Sequence, residues 1–460
     1  MKTKPAIWLV AALTLAALVP LYGDPRRSPV THSEWARMMM RSLGFEESLE
    51  RVENADDLFL TLAWKDQRNL IAAKYKRSAG VVTNGDAVES AIEPGEVAYD
   101  LPIVRDGDYN VRLKLRGAPD QPFTVEIRRD GQLDSAHSFK PTGSGVEFTT
   151  VDLGWVRLNT GNHTLSIVLP PGTALDSIQV SPPCLSPIEP QDGWRGPALT
   201  TDEDLARTLL QALDLESELA PADEPIFLRA GAFEVLAPDS AVSEGRDAAE
   251  TQELTATTEG LHAVVYADIE KEGLYAVSVW TVEGDGQTWL ADSCRRADIC
   301  PSGDSTPKWR TILASEFNVG RHSFAVLLTS GAMVGQIRLQ RVKASPADYV
   351  AAIKRLGFDV GPKGPVTREK ARAAMEWLET RWKDRRGSQQ SCSIQPPLGR
   401  MTASGRLAGG LTLTPLTPSI VTPPPNPPVG PPGGGGPPLP PPVPPIGQPP
   451  ATPVLSLIHI

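Results

Sequence analysis

The feature that most constrains this chain is a stretch written twice. L-N-T-G-N-H-T-L-S-I-V-L-P-P-G-T-A-L-D-S-I-Q-V runs from Leu158 to Val180, and V-G-R-H-S-F-A-V-L-L-T-S-G-A-M-V-G-Q-I-R-L runs from Val319 to Leu339. Gly161 aligns with Gly320, and Ser186-Pro187 with Ser345-Pro346, with no gap between. In each copy apolar and small polar residues interleave, break at a Gly-containing connection and resume, which predicts two β-strands that each bury one face. The alternations Tyr109–Leu115 and Phe123–Ile127, matched by Tyr275–Trp280 in the second copy, add strands of the same kind. Asp130-Gly131-Gln132 is a hairpin signal. Several short strands at this spacing imply an antiparallel sandwich, built twice, over residues 81–184 and 223–343.

A second repeat lies around the first. Thr31 with Glu34 three residues on forms a capping box, and Trp35, Met39 and Leu43 line one helix face before Gly44 stops it. Leu205, Leu209 and Leu213 rebuild the stripe, and residues 364–379 repeat it with the Pro-Val-Thr of positions 29–31. A short amphipathic segment, 347–357, precedes that third copy, and residues 55–75 read as a second helix of the first unit. The expected fold class is multidomain and mainly β: two antiparallel β-sandwich modules alternating with three small α-helical units. Those units occupy 24–80, 185–222 and 344–386, and a disordered Pro/Gly-rich C-terminal tail follows from 387 to 460.

At 460 residues the chain is too long for one ordinary domain, and its net charge of −10 argues against nucleic acid as a partner. Lys2 and Lys4 before the apolar run Ala6–Leu21 read as a signal peptide over 1–23, so the protein is expected to be exported: extracellular, periplasmic or cell-surface associated. No transmembrane segment is expected after signal cleavage. Four cysteines are too few for a disulfide scaffold, but Cys294 and Cys300 close a short loop suited to a local disulfide. Cys184 and Cys392 are left open between pairing with each other and staying free. The last residues, L-S-L-I-H-I, read like the in-frame translation of a sequencing adapter, so the protein is expected to continue past the spacer.

The pattern G-D-Y-N-V-R-L, L-G-W-V-R-L, G-N-H-T-L-S-I and L-D-S-I-Q-V resembles the galactose-binding-like sandwich of carbohydrate-binding modules. The resemblance implies fold more than ligand. It also implies a structural calcium held by an Asp near the last strand, where Asp176 stands in the first module and Gly335 in the second. Glu89 or Glu96 would have to complete such a site; a solvated loop carboxylate is the preferred reading, and no cofactor is expected. The helical units resemble half-copies of an S-layer homology repeat through Val366-Thr367-Arg368-Glu369, though Thr31-His32-Ser33-Glu34 and Thr201-Asp202-Glu203 lack the arginine. A capped helix packing between sandwiches is the simpler account of them.

No Gly-rich phosphate loop, H-E-x-x-H or nucleophile elbow appears, so no catalytic residue is assigned. His163 and His322 match between the modules, but one histidine per module makes no ligand cluster. Trp155 sits in an alternating strand and reads as core, whereas Trp289 and Trp309 flank the polar loop that holds Cys294 and Cys300. Trp289, Trp309 and Lys308 are therefore the candidate ligand-binding residues, with a glycan or cell-wall polymer as the expected partner. The expected role is non-catalytic binding, and the alternative is a structural spacer or envelope assembly protein that binds no small ligand.

Overall fold

The computed structural model describes residues 25–45, 55–117, 121–140, 145–183, 185–235, 253–256, 261–292, 295–361, 364–389, 400–401 and 407–408. The signal segment, Cys184, Cys294, Cys392 and the tail beyond 408 lie outside them.

The first sandwich contains β1 (Arg68–Ile71), β2 (Arg77–Ala79), β3 (Val81–Asn84), β4 (Ala87–Ser90), β5 (Gly95–Ile103), β6 (Gly107–Arg116), β7 (Phe123–Arg129), β8 (Gln132–Phe139), β9 (Thr149–Leu158), β10 (Gly161–Leu169) and β11 (Ala174–Ser181). One sheet runs β3-β4-β11-β6-β9, with β1 also on β11, and the other runs β2-β5-β10-β7-β8. The second sandwich contains β12 (Ile226–Arg229), β13 (Glu234–Val235), β14 (Leu254–Thr255), β15 (Leu261–Ile269), β16 (Gly273–Val282), β17 (Gln287–Ala291), β18 (Arg295–Ile299), β19 (Lys308–Phe317), β20 (Gly320–Leu328) and β21 (Met333–Arg341). Its sheets run β12-β21-β16-β19, with β14 on β21, and β13-β15-β20-β17-β18. The two topologies correspond except that β3, at the edge of the first sandwich, has no counterpart among the described strands of the second. Even a β-bulge is shared: it falls at Val111/Arg112 between β6 and β9 and at Val277/Ser278 between β16 and β19. Asp130 and Gly131 both take positive φ, 50° and 82°, which is the turn twist that a two-residue hairpin between β7 and β8 needs.

Alternation along the strands fills each sandwich. Phe123, Leu165 and Ile178 lie in the first core, and Phe317, Phe324 and Val277 in the second. The matched histidines pin the turn before the repeated strand. His163 Nε2 lies 2.6 Å from the Asn159 carbonyl, and His322 Nε2 lies 2.8 Å from that of Asn318. Burial also pushes His163 toward its neutral form, as a structural hydrogen-bonding residue requires.

The first sandwich begins earlier than the expected boundary at 81. The helix expected over 55–75 stops at Leu62, and Arg68–Ile71 becomes β1, paired with Val180 to Ser177. R-N-L-I-A-A fits either period locally; the open edge of β11 decides it. Trp64 covers the junction, 5.3 Å from the Tyr109 ring with the Arg68 guanidinium 3.9 Å from its own centroid.

The helical segments do not stand as separate units along the chain. α1 (His32–Ser42), α2 (Ala55–Leu62), α3 (Asp202–Ala212), α4 (Pro346–Arg355) and α5 (Arg368–Gln389) share one core that includes Trp35, Met39, Leu209, Ile353 and Leu378. The three repeated entry segments close a cycle of backbone hydrogen bonds. Val30 N–H donates to Val366 O at 2.8 Å, Val366 N–H to Thr200 O at 2.8 Å, and Thr200 N–H to Val30 O at 2.9 Å. The side chains just inside the helices repeat the cycle through two ion pairs and one histidine–carboxylate contact. Arg368 pairs with Glu34, His32 lies 3.5 Å from Asp204, and Lys370 lies 2.7 Å from Asp202. In each pair the first residue of one helix meets the third residue of another, so three sequence-distant segments select one mutual arrangement. Thr31 and Thr201 also close the capping boxes that satisfy their own helix N-termini.

Candidate functional site

The sheet β12-β21-β16-β19 has an outer face divided in two. Leu274, Ala276 and Ala314 lie against the helical core and are covered there. Further along the same strands the face is open, and its register sets two rows side by side. One row is Phe227–Arg338–Ser278–Thr311 and the next is Arg229–Gln336–Trp280–Trp309.

Three aromatic rings meet on this open half. Trp280 and Trp309 lie 5.8 Å apart at 58°, and Phe227 reaches within 6.3 Å of Trp309 at 56°. Phe227 is 51% exposed, which is unusual for a residue of its size outside a contact surface. The Arg338 guanidinium sits 4.9 Å from the Trp309 ring centroid, and its Nη2 donates to Ser278 Oγ at 3.5 Å. Gly335 makes room for the arrangement: a Cβ there would stand 2.9 Å from Trp280 Cδ1. The first sandwich has Asp176 at that position.

The loop beside the platform is braced by a buried carboxylate. Glu283 accepts from the Ser302 N–H at 2.8 Å and from Arg310 Nε at 2.7 Å, and Lys308 Nζ lies 3.6 Å away. Burial opposes the charge on Glu283, but the bonds from Ser302 and Arg310 outweigh it and hold the carboxyl below its usual range. Lys308 also meets Asp304 at 2.8 Å, and this contact with the Thr306 bonds depresses Asp304. Cys300 is disulfide-bonded, while Cys294 lies outside the described residues.

Of the expected ligand-binding residues, only Trp309 belongs to the aromatic surface. Trp289 is 1% exposed, sits in the second sandwich core and donates from Nε1 to Gln287 Oε1 at 3.1 Å. The expectation that it is exposed is corrected: every residue of β17 is buried, because both faces of that strand are covered. Lys308 is engaged with Asp304 and Glu283, so it anchors the loop. Phe227, Trp280 and Arg338 did not stand out in the sequence, since the face exists only through pairing of four strands. Trp280 ends the Y-A-V-S-V-W alternation, and its outward phase was the one available signal.

The corresponding face of the first sandwich has a different chemistry. Arg112 pairs with Asp152 at 3.1 Å, Lys114 with Asp176 at 3.1 Å and Arg116 with Glu89 at 3.0 Å. Asp176 is thus matched to a cation of its own chain, as is Glu96 to Arg77 at 2.9 Å. Among the described residues no three of His, Cys, Asp or Glu are grouped to hold a metal ion, and no helix is long and apolar enough to cross a membrane.

The chain is thus a duplicated β-sandwich protein whose second copy presents an aromatic face. No protein family matches it, and no curated protein does. Among solved structures it is similar to the C-terminal CBM6 of LamC, a marine laminarinase from Zobellia galactanivorans: 18% identity, 25% of this chain and 100% of that chain, TM-score 0.22. It is similar also to the carbohydrate-binding module CBM6cm-2 of Cellvibrio mixtus lichenase 5A in complex with cellotriose, at 17% identity over 25% of this chain and 96% of that one, TM-score 0.22. A CBM35 from Paenibacillus barcinonensis matches at 20% identity over 25% and 98%, TM-score 0.21. Likenesses at this level decide neither ligand nor partner, and none of these comparisons supports the S-layer homology resemblance.

Proposed function

We propose that the chain is a non-catalytic binding protein whose second sandwich takes a glycan on the Phe227–Trp280–Trp309 face. The observation that carries this reading is the cluster of three partly exposed rings on an otherwise polar sheet surface. Sugar rings have apolar faces of C–H groups and hydroxyl edges, so aromatic rings stack on the faces while Ser278, Thr311 and Gln336 can bond the edges. A sheet holds the rings rigidly, which lowers the entropic cost of binding. An exported location, extracellular, periplasmic or at the cell surface, accords with the N-terminal apolar segment and with the disulfide at Cys300. The spacer role is the better reading for the first sandwich, because ion pairs close its corresponding face and the Phe148 ring there lies beneath Lys114 and Arg116.

Calorimetry of the full chain against laminarihexaose, cellohexaose, mannohexaose and trigalacturonic acid tests the assignment. Truncating an aromatic anchor costs about 2 kcal/mol or more, roughly thirtyfold in Kd, so Trp309→Ala and Phe227→Ala should each weaken binding to that extent. Binding to none of these sugars, or binding that both variants leave unchanged, would remove the glycan reading.

A further inference from the structure

The charges on the platform narrow the class of glycan. Arg338 and Arg229 stand in adjacent rows of the same face, on neighbouring paired strands. Four other arginines of this sandwich are neutralised within the chain, Arg295 by Asp292, Arg296 by Asp298, Arg310 by Glu283 and Arg341 by Asp223, while Arg321 packs on Tyr266 on the opposite sheet. Neither Arg338 nor Arg229 has a carboxylate partner among the described residues, and none of the outward positions in the two rows is acidic. Arg338 is nevertheless held in place. It stacks on Trp309 and touches Ser278, and its Nε is buried without a hydrogen-bond acceptor. Two unneutralised guanidinium groups on one aromatic face, in a chain of net charge −10, mark a local reversal of sign.

From this we propose that the ligand of the second sandwich is an anionic glycan, whose sugar stacks on Trp309 and Trp280 while its oxyanion meets Arg338 and Arg229. The inference rests on the glycan reading above and adds the charge of the sugar. A guanidinium already fixed by stacking loses little freedom when it accepts an oxyanion, and its planar fork suits carboxylate and sulfate alike. A neutral sugar could accept hydrogen bonds from these groups through its hydroxyls but would gain no charge-assisted bond from them. The first sandwich carries Gln179 and Asn69 where the second has Arg338 and Phe227, so it would not share the preference.

The test is calorimetry of the full chain with three probes: trigalacturonic acid for carboxylate, a sulfated carrageenan oligosaccharide for sulfate, and laminarihexaose as the neutral reference. One or both anionic probes should bind at least tenfold more tightly than the neutral one, and the advantage should shrink at 0.5 M salt. Arg338→Gln and Arg229→Gln should each lower the anionic-to-neutral affinity ratio severalfold, and the double variant should bring it near one. Arg321→Gln, on β20 against Tyr266, is a cation control and should leave the ratio unchanged. Trp309→Ala should weaken anionic and neutral probes together. If the neutral sugar binds as tightly as both anionic ones, or if the ratio survives the double variant, the anionic assignment is overturned while the glycan reading stands. If no probe binds, the anionic assignment falls, and the glycan reading falls with it when cellohexaose and mannohexaose also fail to bind.

Discussion

Replacing Trp289 by alanine separates a structural tryptophan from a ligand-binding one. The ring is 1% exposed, meets Phe233 edge-on at 6.5 Å and donates its only N–H to Gln287 Oε1, itself fully buried. Removing a buried aromatic side chain costs about 3–5 kcal/mol through lost burial and the cavity left behind. Orphaning the Gln287 acceptor adds on the order of 1 kcal/mol. That is a large share of the roughly 5–15 kcal/mol that holds a domain together. Each kcal/mol lowers the melting point of a domain this size by about 4–8 °C, so the transition of the second sandwich should fall by on the order of 15 °C or more. Trp289→Phe keeps most of the burial but still orphans the acceptor, and should cost about 1–3 kcal/mol. Differential scanning calorimetry of the full chain, with hydrogen exchange followed in β17 and β20, reads both variants. An alanine variant that melts like wild type but binds glycan more weakly would refute the reasoning and put the ring back at the surface.

Three further outcomes are expected. Glu216 is buried under the Tyr349 hydroxyl, which donates at 2.8 Å, and burial pushes its carboxyl up. Because the unfolded state ionises first as pH rises, the group costs stability above the usual carboxylate range; Glu216→Gln should melt higher than wild type at pH 7 and equally near pH 4. Lys370→Ala strands Asp202, which is 3% exposed, and should destabilise the helical body by about 3 kcal/mol; unchanged proteolysis of residues 364–389 would count against the side-chain cycle. Glu283 has a depressed pKa, so its bracing of residues 300–308 is present above the ordinary carboxylate value and lost as pH falls through the lower folded value. Amide protection factors in that loop, referred to the intrinsic exchange rate at each pH, should be high at pH 7 and fall as pH drops through the folded value of Glu283, and Glu283→Gln should be weakly protected throughout.

The duplicated strand pair, the Asp130-Gly131 hairpin and the capped helix starts at Thr31 and Thr201 were legible in the sequence, because each is dictated by residues within a few positions of one another. Side-chain alternation says that one face of a strand is buried. It does not say what lies over the other face, and three outcomes turned on that. Trp289 is inside because β17 is covered on both sides, Arg68–Ile71 is a strand because β11 has an edge to fill, and Leu274 and Ala276 are buried because the helical body rests on their sheet. The helical repeat was visible in the stripes led by Trp35 and Leu205 and in residues 364–379, but local periodicity could not show these segments bonding to one another across the intervening sandwiches. The aromatic face is the same kind of result. Phe227, Trp280, Trp309 and Arg338 come from four strands, and only cross-strand register, set by pairing over long sequence separations, brings them onto one surface.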